Sequence, residues 1–221
     1  MARGSGASAG NPSAATEIAT RDKSGRRAAI CGAALDLAAA GGNRAITHHA
    51  IDDRLGIARG STSYYYRTRQ DLLRAALIHL ASTSRTAFRI ALESGDREAA
   101  APPSVDATAD LMAGQVDLLL GARRRDALAR YALAADTAGD ETLRTELASC
   151  LFSLPAATML MESLGSADPE RAARDLISLL EGLLFDRLHG HRSLLGIEAG
   201  TPASLADLRG PVQLWLSRAV R

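Results

Sequence analysis

Four titratable side chains stand close together in the segment HHAIDD, residues 48–53. His48 and Asp52 are four residues apart, as are His49 and Asp53, so on a helix each pair lies on one face. Imidazole and carboxylate groups at this spacing could hold a metal ion or act as an acid and a base. The segment lacks a third ligand nearby and also lacks the HExxH pattern of zinc enzymes. We interpret it as a polar helix surface, with an all-helical enzyme or metal-binding protein as the alternative.

A second group of polar side chains follows in GIARGSTSYYYRTRQDLL, residues 56–73. If this segment begins with a short helix, Tyr65 and Tyr66 pack against Ile51 and Leu55 of the preceding one. The residues left on the outer side can form hydrogen bonds or allow close approach, and they are Arg59, Gly60, Ser61, Ser63 and Tyr64. A helix with such a face fits the major groove of DNA.

The elements that position these groups are predicted to be helices, because apolar residues recur at spacings of three and four. The predicted helices of the first third run over residues 23–40, 48–55, 59–66 and 69–93. Thr47 can cap the second helix, and Gly56 separates it from the third. Thr68 and Asp71 form a capping box that opens the fourth. Two short helices around a glycine turn are typical of a helix-turn-helix.

The rest of the chain is also predicted to be helical, after a loop over residues 94–104 that contains Pro102 and Pro103. The five further helices are expected at about 105–120, 123–138, 140–164, 169–189 and 203–219. Pro155 is expected to kink the third of them.

The ends, the apolar runs and the cysteines restrict the class of protein. No apolar run approaches the ~20 residues that a membrane helix needs. Residues 1–22 lack the apolar core of a signal peptide, and we expect them to be a flexible arm of a cytoplasmic protein. Cys31 and Cys150 have neither metal-site spacing nor the pattern of a disulfide framework.

Charge is distributed unevenly between the two parts of the chain. Residues 1–75 carry eleven basic and six acidic groups, a net charge of +5, whereas residues 76–221 carry fifteen and nineteen, a net charge of −4. A basic first third on a slightly acidic remainder favours a polyanion-binding head.

Together these features resemble the TetR family of bacterial transcriptional regulators. That family has an apolar first helix ending in glycine, then T-x-x-x-I-A, then G-V-S-x-G-T-L-Y-x-Y-F-x-S-K-x-x-L-L. This chain has THHAI at 47–51, GIARGST at 56–62, YY at 65–66, TR at 68–69 and LL at 72–73. The resemblance runs without gaps over residues 26–73, and the segment 168–190 is similar to the family's dimer-forming helix.

The resemblance implies an all-α protein without enzymatic activity, cofactor or metal. It predicts a three-helix helix-turn-helix DNA-binding domain over residues 23–75 and a helical ligand-binding and dimerisation domain over residues 76–221. The implied protein is a homodimeric repressor that a small-molecule effector releases from a palindromic double-stranded operator.

The resemblance also implies three sets of site residues. Those expected at DNA are Arg44, Thr47, His48, Arg59, Gly60, Ser61, Ser63, Tyr64 and Arg69. Those expected at the ligand are Met112, Gln115, Tyr131, Phe152, Met159 and Phe185. Those expected at the dimer interface are Leu176, Leu180, Gly182, Leu183, Leu184 and Trp215.

Four residues depart from the family pattern. Asp52 replaces a small alanine, which predicts either a side chain turned to solvent or a packing defect. Ala58 replaces the serine that caps helix 3, at a cost of ~1 kcal/mol. Ser63 replaces a phosphate-contacting tyrosine, while Arg69 preserves the charge of a lysine. A TetR-like protein that does not bind DNA, because of Asp52 and Ser63, is therefore a further alternative.

Overall fold

The computed structural model describes the backbone of residues 12–95 and 104–220 and the side chains of residues 23–90 and 104–220. Helices account for all the regular structure in these ranges, which confirms the all-α prediction. Their bounds are α1 Pro12–Gly41, α2 His48–Leu55, α3 Ser61–Tyr65, α4 Arg69–Gly95, α5 Val105–Leu120, α6 Arg124–Thr137, α7 Glu141–Ala148, α8 Leu154–Ser163, α9 Pro169–His189 and α10 Pro202–Ala219. Short 3-10 turns at Asn43–Ala45 and His191–Leu194 connect α1 to α2 and α9 to α10. No helix within the described ranges is long and apolar enough to span a membrane.

The first helix begins earlier than the sequence predicted. It starts at Pro12 rather than Lys23, so the second half of the expected arm is helical, while residues 1–11 lie outside the described residues. Proline is compatible with the first turn of a helix, and no proline or glycine interrupts the chain from there to Gly25. Alanine-rich sequence of this kind continues a helix readily.

The predicted helix 140–164 is two helices, so the expected kink at Pro155 is wrong. The α7 helix ends at Ala148, and α8 begins at Leu154 behind Ser153, whose hydroxyl accepts a hydrogen bond from the Ala156 N–H at 3.4 Å. Pro155 lies in the first turn of α8, where its missing N–H removes no helical hydrogen bond. The proline thus starts a helix rather than bending one.

The core of the first part of the chain, residues 23–75 (the head), extends into the part that follows from residue 76 (the body). It is built from fully buried side chains of α1, α2 and α4, among them Ile30, Ile51 and Leu77. Ala129 and Leu133 of α6 belong to the same cluster. Because α1 packs along α6, the head and the body meet through apolar side chains. A second core joins α5, α9 and α10 around residues such as Val116, Leu184 and Leu208.

Charged side chains bridge the same contact at the surface. The carboxylate of Asp36 on α1 accepts from Arg54 of α2 at 3.0 Å and from Arg125 of α6 at 3.1 Å. All three side chains are partly exposed, so each pair contributes only ~0–1 kcal/mol. Their main consequence is geometric, because one carboxylate connects a helix of the head to a helix of the body.

Candidate DNA-binding surface and ligand cavity

The second helix has the bounds that the sequence predicted, for the predicted reasons. The Thr47 hydroxyl accepts from the Ala50 N–H at 3.1 Å, and Gly56 ends the helix in the left-handed conformation with φ 61°. His48 Nε2 donates to the carbonyl oxygen of Tyr66 at 2.8 Å, which ties α2 to the end of α3. One ring nitrogen of His48 is therefore engaged inside the head, and only Nδ1 is left for an outside partner.

Asp52 is neither turned to solvent nor a defect, so both predictions made for it are wrong. Its side chain is completely buried and reaches the N-terminus of α3. One carboxylate oxygen accepts from the Gly60 N–H at 2.8 Å, and the other accepts from the Thr62 N–H at 2.9 Å and the Thr62 hydroxyl at 2.6 Å. Gly60, with φ 89°, provides no side chain to cap α3. Asp52 therefore supplies from α2 the cap that Ala58 cannot give.

The hydrogen bonds to Asp52 also set its charge. Burial opposes ionisation, but the bonds from the Thr62 hydroxyl and from the backbone N–H groups of Thr62 and Gly60 outweigh it and lower the pKa of the carboxyl. An ionised Asp52 at the positive end of α3 is also favoured by the helix dipole. Asp52 is therefore charged at neutral pH and holds α3 in a fixed orientation on α2.

The outer side of α3 carries the side chains expected there. Tyr64 is 74% exposed, and Arg59, Gly60 and Ser63 are also exposed. Ser61 is half-buried, and its hydroxyl donates to the Ala58 carbonyl at 2.5 Å. These groups form one polar surface on a helix that Asp52 anchors.

The three tyrosines divide between this surface and the interior, as the spacing predicted. Tyr65 is half-buried and meets the edge of the Tyr64 ring, with 5.2 Å between the ring centroids. The Tyr66 hydroxyl lies 3.5 Å from the sulfur of Cys31 on α1, and burial raises the pKa of this phenol. Tyr65 and Tyr66 thus hold α3 against the head, while Tyr64 is free to contact a partner.

Arg69 bonds to the 3-10 turn Asn43–Ala45, which contains Arg44. Arg69 donates from Nη1 to the Ile46 carbonyl at 3.1 Å and from Nη2 to the backbone carbonyl of Asn43 at 3.2 Å, and it also bonds the Asn43 side chain. Its Nη2 lies 3.4 Å from Asp136 of α6. Arg44 is exposed. Arg69 therefore fastens the 3-10 turn to α4, and its predicted contact with phosphate would use the side of the guanidinium that these bonds leave open.

A cavity of about 480 Å³ lies among α4, α5, α8 and α9. Its volume is within the range of small-molecule sites. Four of the six predicted ligand residues line it, and they are Met112, Gln115, Phe152 and Met159. Most of the remaining wall is leucine, alanine and serine, together with Phe88 and three arginines that the sequence did not single out.

Tyr131 and Phe185 do not line this cavity. They face each other edge-on with ring centroids 5.4 Å apart, and the His189 ring lies beside both. The Tyr131 hydroxyl donates to the Glu181 carboxylate at 3.3 Å. These aromatic residues thus belong to the contact between α6 and α9, so their placement in the cavity wall was wrong.

Comparison with solved structures shows which proteins share this fold. A transcriptional regulator from Rhodococcus sp. RHA1 superposes with a TM-score of 0.66 at 19% identity, covering 87% of this chain and 95% of that one. A TetR-family member from Streptomyces coelicolor A3 gives 0.63 at 21% identity, with 86% and 97% covered. The multidrug-binding protein EbrR in complex with ethidium gives 0.59 at 22% identity, with 86% and 98% covered.

Comparison of the sequence agrees with the fold. Residues 103–210 match the family described as Tetracyclin repressor-like, C-terminal domain. The resemblance to the TetR family is confirmed, by the sequence of residues 103–210 and by the fold. Its fold, a helix-turn-helix head followed by a helical C-terminal domain, is that of the TetR-family regulators. A search of curated proteins finds no significant match.

Two of the four histidine and aspartate residues of α2 are engaged in hydrogen bonds inside the head. Both oxygens of Asp52 are used inside the head, and His48 bonds Tyr66. Within residues 23–90 and 104–220, no group of three or more His, Cys, Asp or Glu side chains is placed to hold a metal ion. The remaining members, His49 and Asp53, are exposed on the surface of α2.

The family's dimer-forming helix corresponds to α9, but most residues predicted for the interface face inward. Leu176, Leu180, Leu183 and Leu184 are buried in the chain's own core, so their assignment to a dimer surface is wrong. The exposed face of α9 carries Gly182, where an added side chain would meet open space. Trp215 is half-buried against the same core. An amphipathic helix can turn only one stripe inward, and the leucine stripe of α9 faces the core that it shares with α5, α8 and α10.

Proposed function

We propose that this TetR-family regulator is a cytoplasmic repressor that binds a near-palindromic operator as a homodimer and leaves it when a small molecule fills the cavity. The observation that carries the proposal is that an exposed polar helix face and a cavity of ligand size lie in one chain and are connected through α4. The exposed face of α3 is fixed by the buried cap of Asp52, and the cavity adjoins α4, which continues directly from the head.

The DNA contacts follow from the groups on that face. Tyr64 and Ser63 are placed to reach phosphates, and Gly60 and Ser61 allow the backbone of α3 to approach base edges. Arg59 extends from the turn before α3 and carries charge that suits either a phosphate or a guanine. Thr47 and His48 lie at the N-terminus of α2, where the helix dipole attracts a phosphate.

Dimerisation is required because one head covers only half of such a site. The exposed faces of α9 and α10 are suited to a second copy of this chain. Phe185 on α9 is 50% exposed and Leu214 on α10 is 58% exposed, so each helix offers an apolar side chain to a partner. Gly182 lies one turn before Phe185 and permits two helices to approach closely across a twofold axis.

Coupling between ligand and operator has two physical supports. Leu72 and Leu77 of α4 belong to the head core, while Ser84 and Phe88 of the same helix line the cavity. A ligand that displaces Phe88 therefore acts on a helix that is packed into the head. For the ligand to release the operator, it must bind the arrangement of the heads that fits DNA less tightly than the arrangement that does not.

A chain of ion pairs forms the second support. Arg123 lines the cavity and bonds Asp126 at 2.8 Å, and Asp126 lies 3.0 Å from Arg125. Arg125 pairs with Asp36, which in turn holds Arg54 of α2. A ligand that draws Arg123 away from Asp126 leaves Asp126 paired with Arg125 alone. Arg125 also pairs with Asp36 of the head, so the altered pairing can shift the contact between α6 and α1.

The experiment is a mobility-shift titration on the DNA upstream of the protein's own gene, where autoregulators bind. We expect retardation by the wild-type chain, weaker retardation by Tyr64→Ala, and unchanged retardation by Arg124→Gln, which alters an exposed arginine of α6 away from α3. Equal retardation by all three proteins would show that Tyr64 on α3 does not contact DNA.

A further inference from the structure

The cavity has an uneven charge. Three arginines line it, Arg85, Arg89 and Arg123, and no carboxylate side chain of the described residues does. The other polar groups of the wall are serine hydroxyls and the amide of Gln115, which are neutral. Arginine stays protonated in proteins, so the positive charge is present at every physiological pH.

The three guanidinium groups gather on one side of the cavity. Arg85 and Arg89 are one turn apart on α4. Arg123 lies in the turn between α5 and α6, and its Nη2 donates to the Ser84 hydroxyl of α4 at 2.7 Å. The remaining lining is mainly apolar, with a few serine hydroxyls, and includes Leu160 of α8 and Leu176 of α9. The cavity therefore combines cationic side chains with a large apolar area.

Arg123 has capacity for a further partner. Its Nε and Nη2 donate to the Asp126 carboxylate at 3.0 and 2.8 Å, whereas Nη1 has no hydrogen bond to any described residue. Its side chain is 15% exposed, so a ligand group that reaches it is largely removed from water. A charge-assisted hydrogen bond is strongest in such a setting.

We propose that the ligand of this cavity is an amphipathic anion, an apolar body that carries one acidic group such as a carboxylate. The acidic group pairs with Arg123 and the exposed arginines of α4, and the apolar body lies against α8 and α9. Cationic ligands are disfavoured, because the lining offers them arginines and no described carboxylate to pair with, Asp126 being already paired with Arg123. The proposal rests on the proposed function only in identifying this cavity as the effector site.

The test uses three probes of equal chain length and different charge: decanoate, decanol and decyltrimethylammonium, each below its micelle concentration. Isothermal titration of the full chain, without DNA, measures the three dissociation constants. We expect decanoate to bind at least ~10-fold more tightly than decanol, the difference that one partly buried charged hydrogen bond makes, and the ammonium compound to bind most weakly.

Variants separate the charge from the fold. The double variant Arg85→Gln, Arg89→Gln changes two exposed side chains of α4 and should remove most of the preference for decanoate while leaving the affinity for decanol unchanged. Arg123→Gln should act in the same direction, but it also takes a partner from the buried Asp126, so thermal unfolding must accompany it. Arg124→Gln, outside the cavity wall, is the matched control and should bind like the wild type.

Equal affinity for the three probes, tighter binding of the ammonium compound, or no binding of decanoate would overturn the proposal. The same probes in a mobility-shift assay keep this result apart from the proposed function. Release of DNA by the ammonium compound instead of decanoate would reject the proposal of an anionic ligand, while the proposal of ligand-controlled DNA binding would stand. Binding of decanoate without release of DNA would support an anionic ligand and would reject the proposal that this ligand controls DNA binding.

Discussion

Replacing Asp52 by asparagine is the sharpest test of how α3 is held. Asparagine has nearly the same shape, and its one oxygen can still accept from Thr62. Its amide N–H₂ then faces the Gly60 N–H, so two donors oppose each other in a completely buried position. A buried donor without an acceptor costs ~1–3 kcal/mol, so we expect the free energy of unfolding to fall by about 2 kcal/mol.

The pH dependence of this loss identifies the charge as its cause. The folded pKa of Asp52 lies below its ordinary value of 3.8, so the ionised carboxylate stabilises the fold at all pH values above about 4. That contribution is lost as the pH falls through the folded pKa. The difference in stability between wild type and Asp52→Asn should therefore be constant above about pH 5 and should shrink below pH 4.

Urea unfolding followed by circular dichroism between pH 3 and 8 measures both effects. Asp53→Asn is the control, because it alters an exposed neighbour on the same helix by the same chemical change. The reasoning is refuted if Asp52→Asn is as stable as the Asp53→Asn control at pH 7, or if the difference persists unchanged at pH 3. Operator affinity should fall with Asp52→Asn as well, because an uncapped α3 presents its outer face less often in the binding orientation.

Three further changes test the other parts of the account. Tyr64→Ala should weaken operator binding without changing the melting temperature, whereas Tyr66→Ala should lower the unfolding free energy by ~1–3 kcal/mol, part of the cost of deleting a fully buried aromatic side chain; similar melting of the two variants would contradict the division of the tyrosines. Arg69→Ala should lower stability by ~1 kcal/mol through its lost carbonyl contacts and make the slope of log K against log salt shallower by about one; an unchanged slope would confine Arg69 to its intramolecular role. Gly182→Arg should separate the dimer, and light scattering that reads a wild-type mass near 23.2 kDa would refute the dimer itself.

The head was the most predictable part of the molecule, because its signals are local. Thr47 bonds a backbone group three residues away, Gly56 ends the same helix, and Thr68 caps α4 within one turn. Such contacts depend on residue types at fixed spacing and can be inferred without the rest of the fold. The same holds for the outward position of Tyr64.

Asp52 was misjudged because its partners are set by tertiary geometry. Gly60 and Thr62 are eight and ten residues away along the chain and come within hydrogen-bond distance only after the glycine turn folds α3 across α2. In the sequence, an aspartate at an inward position indicates a conflict between charge and burial. The structure resolves this conflict through donors that no periodicity identifies.

The cavity and the dimer face were predicted only in part for a related reason. Periodicity shows that α9 has a leucine stripe, but it does not say whether that stripe meets the chain's own core or a second copy. Leu176 and Leu184 meet the core, and Phe185, which was expected in the cavity, points outward beside Tyr131. Met112 and Phe152, which were expected at the ligand, do line the cavity, and their contact with a ligand stays a prediction.

The most direct test of the central claim is selection of genomic fragments by the purified full-length chain, followed by sequencing, with Tyr64→Ala carried in parallel. The account predicts that the wild type enriches fragments sharing an inverted repeat, with half-sites ~34–36 Å apart or at multiples of one helical turn, and that Tyr64→Ala enriches them weakly. Fragments without a repeat, equal enrichment by the variant, or no enrichment by either protein would contradict it.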